Sequence, residues 1–299
     1  MDITFLGTTA GKPTKDRAHS AIALKHKGEV LLFDCGENTQ RQLMFAGISP
    51  MKINKVFINH WHADHFAGLI GFLQTMSLQE RTAELHIYGP KGTKKFVGMI
   101  EKLGYSRVNY PIRVKDISGA EIVAVEPGYT VYSCPTVHSV PTIAYKFEEN
   151  ETAGHLNVEK AKALGVNELQ FRELKKGKAV KTQSGKVKPD QVLGPEQTGK
   201  SIVYSGDTAP CDGLIEFSKN ADLLIHEATY TDELKDKAEN REHSTARQAA
   251  EIAKKANVKR LILTHISGRY KETTQLLKEA RGVFENTEVA EDLMKIELK

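Results

Sequence analysis

The chain has 299 residues, of which 40% are hydrophobic and 27% charged, with a formal net charge of +4. Such a composition argues against a disordered chain and fits a globular protein able to bury a large core. The charge is too small to identify a nucleic-acid partner through its total, so its distribution must decide. Cys35, Cys134 and Cys211 lack the spacing of a zinc knuckle or a disulfide framework, which leads us to expect a reducing cytoplasm. No apolar run is long enough to cross a bilayer, and Met1-Asp2-Ile3-Thr4-Phe5-Leu6 reads as a first strand rather than a signal peptide.

In chain order, short apolar runs predict strands at 3–6, 21–24, 30–34, 56–59, 85–88, 121–125, 130–133, 143–147, 202–205, 223–226, 261–265 and 293–297. Apolar residues returning every three or four positions predict helices at 39–46, 67–76, 93–103, 245–256 and 273–283. Runs of strands alternating with single helices fit layered sheets covered by helices. We therefore expect an α/β fold, a four-layer αββα sandwich, in place of a doubly wound parallel sheet. Residues 1–299 read as one domain. Within it, 148–200 is polar, lysine-rich and poor in strand signal, and reads as an inserted arm.

The densest chemistry follows the apolar run Lys55-Val56-Phe57-Ile58-Asn59, where His60-Trp61-His62-Ala63-Asp64-His65 packs three imidazoles and a carboxylate into six residues. Side chains alternate in an extended segment, so His60 and His62 can grasp one cation while Asp64 and His65 serve a neighbour. Helical periodicity starts at Phe66, which places the cluster at a strand's carboxyl end, where open α/β sheets put their sites. Nitrogen and carboxylate ligands suit zinc, with manganese and iron as alternatives. Three further strand-end residues, His138, Asp207 and His265, share this topological position.

The order of these residues resembles the ligand order of the metallo-β-lactamase superfamily. The resemblance implies one zinc on His60, His62 and His138, a second on Asp64, His65 and His265, and Asp207 bridging both. Two ions activate a water near neutral pH and stabilise the oxyanions of an in-line displacement, so hydrolysis is the expected reaction.

Along nearly its whole length the chain is similar to the short form of ribonuclease Z. The matching stretches are Phe5-Leu6-Gly7-Thr8, Phe33-Asp34-Cys35-Gly36-Glu37, Thr39-Gln40-Arg41-Gln42, His226-Glu227-Ala228-Thr229, His243-Ser244-Thr245 and Thr264-His265-Ile266-Ser267-Gly268-Arg269-Tyr270. This implies an endoribonuclease that removes the 3′ trailer of precursor tRNA and leaves a 3′ hydroxyl. It also implies a homodimer with two zinc ions per subunit.

His243 precedes a helix start marked by Thr245 and Gln248, a capping-box spacing, and helix N-termini attract phosphate. There it could contact the scissile phosphate or protonate the leaving 3′ oxygen, with Glu227 keeping it charged. Asp64 can take the proton of the attacking water. Lys15, Arg17 and Arg269 are basic residues placed to hold RNA phosphates. In the arm, Arg172, Lys175, Lys176 and Lys178 belong to a run of seven basic residues from 172 to 188 against the single acid Glu173, a strip able to follow an RNA backbone without reading sequence.

Departures from the family are Asn167-Glu168-Leu169 where the arm usually carries a Gly-Pro turn, Ala18 where asparagine is usual, and Trp61 and Ala63 where leucine and glycine are common. Two other readings compete: a hydrolase of a small phosphodiester or ester, and an RNA-binding protein with structural zinc. Structural sites are closed by four protein ligands, whereas seven ligands for two ions leave room for water.

Overall fold

The strand Asp2–Gly7 buries every residue after the first, and Glu29–Phe33 every residue after Glu29. Strands apolar on both faces need cover on both, and the fold supplies it. The computed structural model describes residues 1–298 apart from Ser106, Ser184 and Gln197. It divides into a larger unit, Met1–Val125 with Val131–Phe147 and Ser201–Lys299, and a smaller one, Glu126–Thr130 with Glu148–Lys200.

The larger unit holds two seven-stranded sheets. In the first, the order is Lys295–Glu297, Asp2–Gly7, Ala21–His26, Glu29–Phe33, Ile53–Phe57, Leu85–Pro90 and Ile112–Ile117, with the last four strands parallel. In the second it is Thr287–Val289, Leu261–Thr264, Leu223–Glu227, Ser201–Tyr204, Ile143–Glu149, Tyr129–Pro135 and Glu121–Glu126, with the first four parallel. Register places Phe33, Phe57 and Tyr88 side by side, and they stack at 5.1 and 5.0 Å between centroids. Tyr145 of the second sheet meets Phe57 edge-on at 5.4 Å, and Tyr204 meets Phe33 at 6.3 Å. Each such pair adds about 0.5–1.5 kcal/mol beyond its buried area.

The outer face of the first sheet, with Leu32, Val56 and Ile87, is covered by Leu43, Leu69, Phe72, Leu73 and Val97 from helices Thr39–Ala46, Gly68–Leu78 and Thr93–Ile100. That of the second, with Val203, Leu224 and Leu263, lies under Leu214, Ala249, Ile252 and Leu276. These are the four layers of the expected αββα sandwich.

The details depart from the sequence reading where local contacts override periodicity. The helix expected at 67–76 is present as Gly68–Leu78, but an unforeseen single turn, Ala63–Phe66, precedes it. The break accompanies a close approach: a Cβ on Gly68 would lie 2.0 Å from the Gly36 carbonyl oxygen, and one on Gly36 would lie 2.3 Å from that of Asp64. Two glycines thus let the histidine-rich segment settle against the end of the strand Glu29–Phe33. The helix expected to reach 103 ends at Ile100, and strands Ile112–Ile117 and Thr287–Val289 were not foreseen.

The smaller unit contains helices Val158–Ala163 and Glu168–Lys175 and the hairpin of Val180–Thr182 with Gly185–Val187. Its core is small: Ala161, Val166, Leu174, Val180, Val187 and Val192. Asn167, where the family carries a Gly-Pro turn, caps the second helix in a reciprocal box with Gln170.

Candidate metal centre

Strand ends of both sheets meet at one edge of the larger unit. His60 and His65 follow Ile53–Phe57 of the first sheet, while Asp207 and His265 follow Ser201–Tyr204 and Leu261–Thr264 of the second. His62 has extended backbone, with φ of −78° and ψ of 147°. His60 and His62 turn inward, and Trp61 turns the other way against Phe66 and Phe96, with its Nε1–H donating to Thr93 Oγ1 at 2.9 Å.

The structure brings all seven expected ligand residues together. His60 Nε2 lies 2.8 Å from His62 Nδ1, which is 3.2 Å from His138 Nε2. Asp64 Oδ2 lies 3.4 Å from His265 Nε2, itself 3.4 Å from His65 Nε2. Asp207 sits between the two groups, its oxygens 3.3 Å from His65 and His265 and 3.8 Å from His60. In each of the sets His60/His62/His138, Asp64/His65/His265 and His60/His65/Asp207 the potential ligand atoms lie within 4.8 Å of one another.

An outer ring of acceptors decides which nitrogen of four of the histidines faces inward. His60 Nδ1–H donates to Asn59 Oδ1 (2.6 Å), His65 Nδ1–H to Asp34 Oδ2 (2.7 Å), His138 Nδ1–H to the Glu242 carbonyl (3.0 Å) and His265 Nδ1–H to Thr229 Oγ1 (2.9 Å). The Asn59 orientation is fixed independently, since its Nδ2 donates to the Ile143 carbonyl and its Oδ1 accepts from Asp207 N–H and Thr142 Oγ1. Thr229 spends its own hydroxyl proton on Glu227 Oε2, leaving a lone pair for His265. Four imidazoles therefore point Nε2 lone pairs at one another and at two carboxylates, the arrangement that metal-binding histidines adopt.

The charges point the same way. Burial holds His60 and His62 below the usual histidine range, in the neutral form that ligates. Burial also opposes charge on His65, yet Asp207 and Asp34 push it well above that range, so the position calls for positive charge. Asp207 Oδ1 is buried without a hydrogen-bond donor. A carboxylate facing imidazole lone pairs in this way fits a bound cation. Burial works to raise the Asp64 carboxyl, but His265 and His65 hold it below its ordinary value. One of its oxygens accepts the Gly11 N–H at 2.7 Å.

At the rim, His243 Nδ1 lies 2.7 Å from Glu227 Oε1. Glu227 is fully buried and also accepts from the Thr208 and Ser244 N–H groups and from Thr229. Burial opposes charge on His243, but Glu227 overcomes it and pushes the imidazole up to about 9. His243 stands three residues before the start of the helix Ala246–Lys255, where Thr245 and Gln248 form the expected capping box.

Lys15 is exposed on the loop at 11–16, and Arg269 is exposed with its guanidinium 5.0 Å over the Tyr230 ring. The structure gives Arg17 a different task from the expected phosphate contact. Its Nη1 is turned inward, donating to Thr8 Oγ1 and the Ala290 carbonyl, both at 2.7 Å. In the smaller unit Arg172, Lys175, Lys176 and Lys178 are all exposed, and Lys176 and Lys178 share Glu173 at 3.1 and 3.4 Å. Sequence reasoning missed Asp34, Asn59, Thr229 and Gly11. A signal existed for Asp34, a carboxylate that directly follows an apolar strand; in the structure it has φ of 57° and His265 has φ of 55°, conformations that cluster at working sites.

Two family models match, one described as anti-Pycsar protein Apyc1 over residues 1–107 and one as a beta-lactamase superfamily domain over residues 176–266. Ribonuclease Z of Methanosarcina acetivorans is 45% identical, covering 100% of this chain and 98% of that protein. That of Methanothermobacter thermautotrophicus is 47% identical, covering 100% and 97%. The crystal structure of human tRNase Z, short form, superposes with a TM-score of 0.75 at 30% identity over 100% of both chains. With full-length identity at this level joined to a seven-residue ligand cup on an αββα frame, the chain belongs to the ribonuclease Z family, nucleases of the metallo-β-lactamase fold.

Proposed function

We propose that the chain is a zinc-dependent endoribonuclease that removes the 3′ trailer from precursor tRNA and leaves a 3′ hydroxyl on the tRNA. His60, His62 and His138 would hold one zinc ion, Asp64, His65 and His265 a second, and Asp207 would bridge them. When bound, the ions supply a water acidified toward neutral pH and positive charge for the phosphate oxygens. Asp64, ionised and oriented by the Gly11 N–H, accepts the proton of the attacking water. His243, kept charged by Glu227, gives a proton to the leaving 3′ oxygen.

The observation that carries this reading is the Glu227–His243 pair at the rim of the cup. A hydrolase acting on a good leaving group needs no such acid, whereas a ribose 3′ oxygen leaves poorly unless protonated. Lys15 and Arg269 would hold phosphates near the cut, while Arg172, Lys175, Lys176 and Lys178 would grip the RNA body as a substrate-binding arm comprising 148–200.

The same reading includes a homodimer, supported by Met44 and Phe45, exposed at 72% and 59% on the helix Thr39–Ala46. It includes the cytoplasm as the place of action, supported by three cysteines that form no disulfide. No helix among the described residues is long and apolar enough to cross a membrane.

Incubating the protein with a 3′-extended tRNA transcript and mapping the product ends tests the reading. The expected result is a single cut after the tRNA body with a 3′ hydroxyl, slowed by orders of magnitude to a still measurable rate in Asp64→Ala and strongly slowed in His243→Ala. Cut ends scattered along the RNA would overturn the processing assignment.

A further inference from the structure

The N–H that holds Asp64 belongs to a loop, residues 8–18, whose position is set from the far end of the chain. Asp292 Oδ1 accepts from Thr8 Oγ1 and its Oδ2 from the Ala18 N–H, both at 2.7 Å, so one carboxylate ties the two ends of the loop. Gln42 Nε2 adds a donor to Oδ2 at 2.9 Å. Arg17 completes the knot, since the Thr8 hydroxyl that donates to Asp292 accepts from Arg17 Nη1. Thr8 and Thr9 N–H both donate to the Ala18 carbonyl, at 2.9 and 3.1 Å, and pinch the neck. On its other side the loop braces the segment after His265: Ile266 N–H donates to the Thr8 carbonyl at 2.8 Å, and Thr9–Ala10 pairs with Ile266–Ser267.

The corner that presents Asp292 is strained. Leu293 has φ of 66°, a left-handed conformation that L side chains rarely adopt. Its N–H donates to the Phe5 carbonyl at 2.7 Å, and Phe5 N–H donates to the Met294 carbonyl at 3.0 Å, so pairing with the first strand fixes the bend. Strain of this kind persists where surrounding structure over-determines a residue, and it clusters beside working sites. Here the bend turns a half-buried carboxylate toward the loop.

We propose that Asp292 is a positioning residue for Asp64, acting through the neck of the 8–18 loop and the Gly11 N–H. The proposal rests on the reading of Asp64 as a metal ligand and proton acceptor. Asp64 sits in a single turn of helix, and Gly11 contributes its hydrogen bond from outside that turn. Releasing the loop frees the carboxylate to swing within the cup. A displacement of that size at a reacting group costs rate without altering grip on the RNA body.

The test compares wild type, Asp292→Asn, Thr8→Val, Asp64→Ala and the Asp64→Ala/Asp292→Asn double variant, all as full-length protein. On 3′-extended tRNA we expect Asp292→Asn to lower kcat roughly 10- to 100-fold, as loss of an outer hydrogen bond at a metal site does, with KM within about twofold of wild type. Asp292→Asn is expected to cause no further loss in the Asp64→Ala background, because both changes remove one function. Hydrogen exchange on metal-free protein gives a readout independent of activity: the Gly11 amide exchanges faster in Asp292→Asn and in Thr8→Val. Wild-type kcat in Asp292→Asn, losses that multiply in the double variant, or an unchanged Gly11 exchange rate would each overturn the proposal. Hydrolysis of bis(p-nitrophenyl) phosphate separates this from the RNA reading. If wild type cuts that ester and leaves the transcript intact, the tRNA assignment fails while the comparison of variants still decides the role of Asp292.

Discussion

In the larger unit Asp34, Asn59 and Thr229 are buried, and each fixes a histidine of the cup through a hydrogen bond of 2.6–2.9 Å. In the smaller unit Lys176 and Lys178 share one partly exposed glutamate, and Arg172 and Lys175 lie open to water. The first arrangement is costly to break, because removing a partner strands a buried polar group. The second contributes little to stability, since exposed pairs are worth about 0–1 kcal/mol and are screened by salt. The contrast separates two tasks. On the proposed reading, geometry at the reacting phosphate is held by buried bonds, while the grip on a large polyanion is left to charges that can re-form as the ligand shifts.

The strongest way to break this contrast is to remove the residue that joins both metal groups. Asp207→Ala should lower kcat on precursor tRNA by roughly 10³-fold or more while leaving KM nearly unchanged, as read by steady-state kinetics. An equal rise in KM would mean that the cup and the grip are not separable.

Next in size is the outer ring. Asp34 accepts from His65, from Tyr204 at 2.6 Å and from the Asn59 N–H at 2.7 Å. Asp34→Ala should weaken metal retention and activity about 10- to 100-fold, measurable by titration against a chelator.

The acid pair predicts a pH effect. His243 is pushed up to about 9 by Glu227, so its acid form is present below that pH and is lost as pH rises through it. Turnover should fall on the alkaline side. Glu227→Gln removes the charge and drops the ring toward an ordinary value of about 6.5, moving the decline some two units lower and costing roughly tenfold or more at pH 8. An alkaline limb that stays in place would remove His243 from the role of acid.

The smallest effect belongs to the smaller unit. Arg172→Ala with Lys175→Ala should raise KM for precursor tRNA a few-fold with kcat unchanged. The same change should flatten the slope of log affinity against log salt by about 1.5–2, and hydrolysis of a small phosphodiester should not change. A slope equal to wild type would show that these two side chains make no phosphate contact.

The convergence of the candidate ligands was legible because chemistry and topology coincide. Three histidines and an aspartate crowd one strand end, and His138, Asp207 and His265 repeat that placement. Their supports were not, because the roles of Asn59 and Thr229 appear only when segments distant in sequence meet around them. Arg17 misled for a related reason: a basic residue in a loop beside the site points toward phosphate by sequence logic, yet its partners at Thr8 and Ala290 lie on other elements. The strand Ile112–Ile117 escaped notice because Ile-Arg-Val-Lys-Asp-Ile is half polar, as befits an edge strand. The helices Val158–Ala163 and Glu168–Lys175 are short and polar, with too few apolar positions to display a period.

Metal counting by native mass spectrometry on active wild-type protein and on Asp207→Ala tests the central claim most directly. The account predicts two zinc ions per wild-type chain, with occupancy and activity lost together in Asp207→Ala. Fewer than two ions in a fully active preparation would contradict it.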